Sequence, residues 1–319
     1  MLYPCGPSAS EIASCRAQKP RAAIRAWPVL CLAFLLLAPA GFRTAHGDAP
    51  APQAAGLRAK YAALQSQLAN NPFQRPLHLD SAQGTGVLTG EIYAVVDHPF
   101  ETSAAALAIP ANWCNILILH LNVKYCRAST DTGKSVLAVY VGRKYEQPLA
   151  RAYRVEFAYR LAAATPNYLR AVLTADQGPF GTKDYRITLE AIPLRSAQTF
   201  LRFTYSYSDT LVAHLAMQAY LGTLGAHKVG FTVLGTDPDG KPEYVAGVRG
   251  AVERNTMRYY LAVDAYLNAL SAPPREQLEK RLRDWFASTE RYRLQLHEMD
   301  ELEYMSMKRK ETERQRAAP

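Results

Sequence analysis

The sequence holds little of what most catalytic and nucleic-acid readings require. Only one stretch is apolar enough to be considered for a membrane, which excludes a polytopic membrane protein. There is no Gly-x-Ser-x-Gly elbow and no internal repeat. Histidines never fall at i, i+4 or beside a cysteine at metal-ligand spacing, so no metal is assigned. No cofactor motif is assigned either. Cysteine is scarce, with five in 319 residues, and charged residues make up 20%. The net charge of +9 is unevenly placed. Arg16, Lys19, Arg21, Arg25 and Arg43 against Glu11 leave a mild +5 for everything after residue 47, too little to argue for nucleic acid. What is abundant is apolar surface, 49% of residues, the balance of a folded protein of one large or two ordinary domains.

The first segment reads as an address. Arg21 and Arg25 precede an apolar run from Trp27 to Ala40, followed by small residues at Ala45-His46-Gly47. A basic flank, a short apolar core and small residues form the pattern of a secretory signal. Cleavage near Gly47 predicts a periplasmic or secreted protein; the alternative is an uncleaved inner-membrane anchor. Export leaves Cys114 and Cys126, an even pair in an oxidising compartment and hence an expected disulfide. The alternative is two separate buried thiols.

Periodicity then divides the chain. Residues 48–84 read as an Ala/Pro-rich lead-in and a short helix carrying Leu57, Tyr61, Leu64 and Leu68. A strand runs through Ile92-Tyr93-Ala94-Val95-Val96, with short helices expected over 100–109 and 110–120, Pro110 suiting the first turn of the second. From about residue 121 the period becomes two. Tyr153, Val155, Phe157, Tyr159 and Leu161 alternate with charged or small residues, and so do the runs containing Tyr185 and Tyr205. With strands near 122–129, 135–143 and 167–175, these make an antiparallel meander with one tyrosine-rich face. Beyond it the pattern predicts a helix over 210–223 capped by Asp209, a hairpin of 228–234 and 243–249, and a helix from Asn255 or Thr256 to about Leu270. A last helix over 275–305 follows, with a charged tail after Met307 that frays.

Several motifs have bland readings that outweigh their sharp ones. Ala128-Ser129-Thr130-Asp131-Thr132-Gly133-Lys134-Ser135 resembles a phosphate loop, but an apolar β-branched run follows, and a hairpin turn is expected. Asp237 and Asp239 beside Gly240 lack the further oxygen ligands of a calcium loop and read as a tight turn. Glu91, Asp97, Glu101, Glu156 and Glu190 are the carboxylates a glycosidase would need in facing pairs. Glu156 and Glu190 read more simply as solvent-face residues. Trp113, His120 and Tyr125 lie close to the expected disulfide and suit either a cavity mouth or the core. Arg249-Gly250-Ala251-Val252-Glu253-Arg254-Asn255 is expected to join a strand to a helix, as a cap with surface ion pairs or as a ligand contact.

The succession Glu91–Pro99, helical Phe100–Ile109 and Ala111-Asn112-Trp113, then a long meander and a helix, resembles the START-like or helix-grip family. The resemblance covers about 85–223, with the segment to 270 completing or extending it. It implies an α+β fold in which a curved antiparallel sheet of about seven strands grips a long helix, either 210–223 or 255–270. The domain would span 85–270, with 271–319 as an added helix and tail. The resemblance also implies an apolar cavity for a lipid, sterol or polyketide-like molecule, and no catalytic residue. The leading expectation is therefore an exported binder of a hydrophobic small molecule or lipid. Trp113, His120, Tyr125, Tyr153, Tyr185 and Tyr205 would line the cavity, and Arg249 and Arg254 would meet an acidic head group. A peripheral contact with an anionic membrane surface is a further expectation. The alternatives are an envelope interaction protein docking through 275–305, and a hydrolase or cyclase using Glu91, His98 or His120.

Overall fold

The computed structural model describes residues 52–195, 197–209 and 228–317. The segment 1–47 and the expected helix 210–223 lie outside the described residues. So do His214 and His227, and the side chain of Asp209, the expected cap, is likewise outside the description.

Eight antiparallel strands form one sheet. In chain order they are β1 (Leu77–Gln83), β2 (Val87–Val96), β3 (Val123–Asp131), β4 (Lys134–Val141), β5 (Tyr153–Thr165), β6 (Tyr168–Gln177), β7 (Thr182–Pro193) and β8 (Thr199–Asp209). Their spatial order is β1-β2-β8-β7-β6-β5-β4-β3. The alternating runs are strands, as their period requires, with one more strand than the pattern suggests. That extra strand is β1, which pairs with β2 from Leu77↔Ala94 to Gln83↔Leu88. Its Leu77 and Leu79 are buried, but His78, Asp80 and Ser81 interrupt the apolar signal. The phosphate-loop look-alike is the β3–β4 hairpin turn: Thr132 and Gly133 both have positive φ, as a two-residue primed turn needs.

Helices cover both faces. Helices α1 (Pro52–Ala63) and α2 (Gln65–Ala69) form part of a second cluster in which Ala54, Leu57, Leu64 and Leu68 pack with Tyr93, Tyr168, Ile192 and Phe200 on the outer face. The expected lead-in is thus helical from Pro52, and Ala54 is buried. On the inner face, α3 (Phe100–Leu107) and α4 (Pro110–Leu117) follow β2, with Pro110 in the first turn of α4 as expected. Trp113 Nε1 donates to Leu107 O at 2.9 Å, and Tyr159 Oη donates to Leu107 O and Ala108 O. The free carbonyls at the end of α3 are therefore satisfied from the core. Cys114 and Cys126 are bonded, tying α4 to β3 with Cα atoms 5.1 Å apart. On the entropic model a loop this short is worth about 3 kcal/mol.

The longest described helix, α5 (Gly247–Asn268), crosses β1, β2 and β8. It begins eight residues before the expected cap at Asn255. The hairpin before it is short, β9 (Val233–Thr236) with β10 (Pro242–Tyr244), turning at Asp237–Gly240. The segment Arg249–Asn255 is accordingly the first half of a helix and joins no strand. Helix α5 is buried nearly all round, since α6 (Gln277–Glu290) packs on its other side. Its buried Glu253, Arg254, Arg258 and Asp264 obscure any amphipathic stripe.

The expected single helix 275–305 is three pieces: α6, α7 (Arg293–Leu296) and the start of α8 (Glu301–Ala317). Leu282, Trp285, Leu296 and Tyr304 are all buried, so this segment packs into the core, while Leu294 and Leu302 are exposed. Nor does the chain fray after Met307. Helix α8 reaches Ala317 and lies along β3, where Lys308 Nζ donates to His120 O and Val123 O, and Cys126 N donates to Gln315 Oε1. Lys308 also shares the buried Glu311 carboxylate with Lys124, at 2.7 and 3.0 Å. Among the described residues no helix is long and apolar enough to cross a membrane.

Candidate functional site

The inner face of the sheet carries a connected set of tyrosines. Alternation along β7 and β8 places Tyr185, Tyr205 and Tyr207 on that face, and register puts Tyr153 of β5 on the same side. The Tyr185 and Tyr207 rings stack with centroids 5.3 Å apart, and Tyr205 lies 6.2 Å from Tyr185 and 5.8 Å from Tyr207. Helix α5 adds Tyr259, 5.4 Å from Tyr205 and stacked on His120 at 4.5 Å. Burial pushes the hydroxyls of Tyr185, Tyr205 and Tyr259 above the usual phenol range, so they stay neutral donors. The face runs out to solvent at Tyr153, which is 45% exposed. Helix α5 covers β1, β2 and β8, α4 covers β3 and β4, and the two helices also contact each other.

His120 ends the chain of rings. Its Nδ1 accepts from Asn122 N at 3.1 Å, and Nε2 is buried without a partner in bonding geometry. Burial, then the charges of Arg258, Lys308 and Lys144, hold the imidazole well below the usual histidine range; an interaction with Asn255 offsets this only in part. The ring is neutral at physiological pH.

The expected site residues therefore divide. The structure brings together Tyr153, Tyr185, Tyr205 and His120, and adds Tyr207 and Tyr259. Trp113 is fully buried between α3 and β5, beside Tyr159, and serves the core. Tyr125 pairs in register with Tyr140 and meets its ring edge-on, while the next residue, Cys126, joins the inner cluster. Tyr125 is therefore on the outer side, away from any cavity mouth. Arg249 Nε donates to Ser81 Oγ at 2.7 Å, beside an open groove of about 750 Å³ lined by Ser81–Thr85. Arg254 is buried and donates to Lys228 O and Val229 O, which removes it from the expected head-group role. Between them Glu253, fully buried, accepts from Phe231 N, Thr232 N, Thr232 Oγ1 and Ser81 Oγ.

The carboxylates expected for hydrolysis face no common cleft. Glu91 and Glu190 are both on the outer face, separated by β8 and bridged by Arg202, with Tyr93 Oη donating to Glu91 and Tyr168 Oη to Glu190. Glu190 is buried, contrary to its solvent-face reading, because α1 and α2 cover that end of the sheet. His98 bonds Asn268 at the far end of α5, and His120 is on the other side of the sheet from Glu91.

A sheet whose inner face holds a long helix is the helix-grip arrangement, here extended by outer N-terminal and further C-terminal helices. No family model matches the chain, and no curated protein matches it. Among solved structures it is similar to norcoclaurine synthase from Thalictrum flavum at 14% identity, over 46% of this chain and 91% of that one, with a TM-score of 0.32. It is also similar to Ara h 8.0201 (9% identity, 58% and 99% covered, TM-score 0.33) and human StAR-related lipid transfer protein 5 (11%, 49% and 82%, TM-score 0.27).

Proposed function

We propose that this chain is an exported protein that binds a hydrophobic small molecule or lipid between the sheet and α5. The observation that carries the reading is the tyrosine set Tyr153, Tyr185, Tyr205, Tyr207 and Tyr259. A dry core is more economically filled by Leu, Ile and Phe; phenol rings supply apolar area together with hydroxyls that orient a ligand. Ring contacts run from the buried His120–Tyr259 stack through Tyr205 to Tyr185 and Tyr207, and the same sheet face reaches solvent-exposed Tyr153. The basic, apolar and small-residue succession within residues 1–47 supports export, as does a disulfide between the two cysteines left after cleavage.

Native mass spectrometry of protein recovered from its own compartment tests both parts. The expected spectrum shows a chain lacking about the first 47 residues, carrying one apolar adduct or acquiring one from total membrane lipid. Tyr153→Ala is expected to weaken that adduct about tenfold, or ~1.4 kcal/mol. A clean mass before and after incubation with lipid would refute binding, and a mass that retains the N-terminal segment would refute cleavage.

A further inference from the structure

The charges beside the tyrosine set do not balance. Glu298, between α7 and α8, is the carboxylate at their centre. Its Oε1 accepts from Lys144 Nζ at 2.6 Å and from an Arg258 terminal nitrogen at 2.7 Å, and Lys228 Nζ is 3.5 Å from Oε2. Arg258 also donates to Leu296 O, and Lys228 to His297 O. Among the described residues no second carboxylate forms an ion pair with any of these three cations. The nearby Glu290 is held by Arg293 and His297. Among the described residues one negative charge therefore serves three positive ones.

The cluster is neither fully buried nor freely solvated. Arg258 is buried, and its Nε has no acceptor. The side chains of Lys144 and Lys228 are each 34% exposed, so both reach solvent. Burial, and next the charge of Arg258, push Lys144 down to about 8, while the same cations hold Glu298 below the usual carboxylate range. Among the described residues the cluster thus keeps a surplus of about two positive charges near neutral pH at a half-buried site. Repulsion is strong there, and a compensating anion gains most.

We propose that Lys144, Lys228 and Arg258, gathered by Glu298, form a receptor for an acidic group of the phosphate or carboxylate class. This deepens the reading above by giving the apolar ligand an acidic head, and rests on it only for the tail. The cluster adjoins the tyrosine set through His120, which feels the charges of Arg258 and Lys144 and stacks on Tyr259. Arg258 supplies a fixed, always-charged donor, and the two lysines supply mobile ones that can follow an incoming oxyanion.

The test is calorimetric titration of the full mature chain at constant ionic strength with three probes: inorganic phosphate, dodecyl phosphate and dodecanol. Dodecyl phosphate is expected to bind at least tenfold more tightly than dodecanol, and Lys144→Met with Lys228→Met to abolish the difference. Binding of inorganic phosphate, weakened by the same substitutions, supports the site with a free anion as its source. If only dodecyl phosphate binds, the source is a lipid head. Equal binding of dodecyl phosphate and dodecanol, with none of phosphate, overturns the receptor and leaves the apolar reading standing. Phosphate binding without either alkyl probe does the reverse. No binding by any probe overturns both. A second measurement needs no variant: dodecyl phosphate is expected to raise the Lys144 titration midpoint by NMR, and a midpoint unmoved at saturating dodecyl phosphate counts against the site.

Discussion

Lys124 and Lys308 are both fully buried on the single carboxylate of Glu311. Removing the shared partner and removing one claimant have different costs. Glu311→Gln leaves two uncompensated buried charges and is expected to cost about 3–5 kcal/mol in denaturant unfolding. Lys124→Met leaves a balanced Lys308–Glu311 pair and is expected to cost about 1 kcal/mol or less. Equal losses would show that the charge count does not govern this site. His120 gives a pH prediction. Its folded pKa lies below its unfolded value near 6.5, so the unfolded chain binds more protons as pH falls. Its share of stability is therefore full above about pH 6.5 and lost below it. His120→Asn is expected to flatten the decline in melting temperature between pH 7 and 5. An unchanged slope would assign the decline to other groups. The alternating tyrosines were legible, because a period of two states which side a residue faces, whereas His120 was marked only by its closeness to the expected disulfide. Tyr259, Arg258 and Glu298 were not, since nothing local marks a residue whose partner lies 40 or more positions away in the chain.

At the scale of elements, α5 seats on β2 through one missing side chain. A Cβ on Gly90 would fall 2.2 Å from Thr256 Oγ1 and 3.0 Å from its Cβ. Gly90→Ala is expected to destabilise by about 1–3 kcal/mol through overpacking, and Thr256→Ala to restore part of that loss. Additive effects in the double variant would show that the two sites do not touch. Strands and helices differed in how plainly they could be read, and for a physical reason. A half-buried strand alternates visibly, so β5, β7 and β8 stand out. Helix α5 is enclosed by the sheet and α6, so Arg254, which looked like part of a surface cap, is an interior donor, while Arg249 stays partly exposed and bonds Ser81. The edge strand β1 escaped because its polar residues outnumber its apolar ones.

Across the whole molecule, both ends of the described chain are structural. Helices α1 and α2 cover the outer face, and α8 closes the inner layer against β3. Deleting 301–319 removes buried Tyr304, Met305, Met307 and Lys308. The truncated chain is expected to lose cooperative unfolding and to bind hydrophobic dyes. A sharp native-like transition would show α8 to be dispensable. The charge pattern of this tail, Lys/Arg/Glu-rich and without an apolar stripe, conceals that role, because its apolar contacts are few and its buried charges are paired.

The contact between α8 and β3 also sets an order of events. Strand β3 is the edge of the sheet, and the amide of Cys126 on that edge finds its acceptor in Gln315, 189 positions later. A chain emerging from its N-terminus, whether from a ribosome or through a translocation pore, makes this edge long before it makes the segment that seals it. Until then the backbone of β3 offers free pairing groups to any neighbouring chain. Protection from premature association must come during that interval from a chaperone or from holding the chain unfolded. Chains arrested before residue 301 are expected to be captured by holdase chaperones in pull-downs of stalled products, and release after residue 315 has emerged is the outcome that fits.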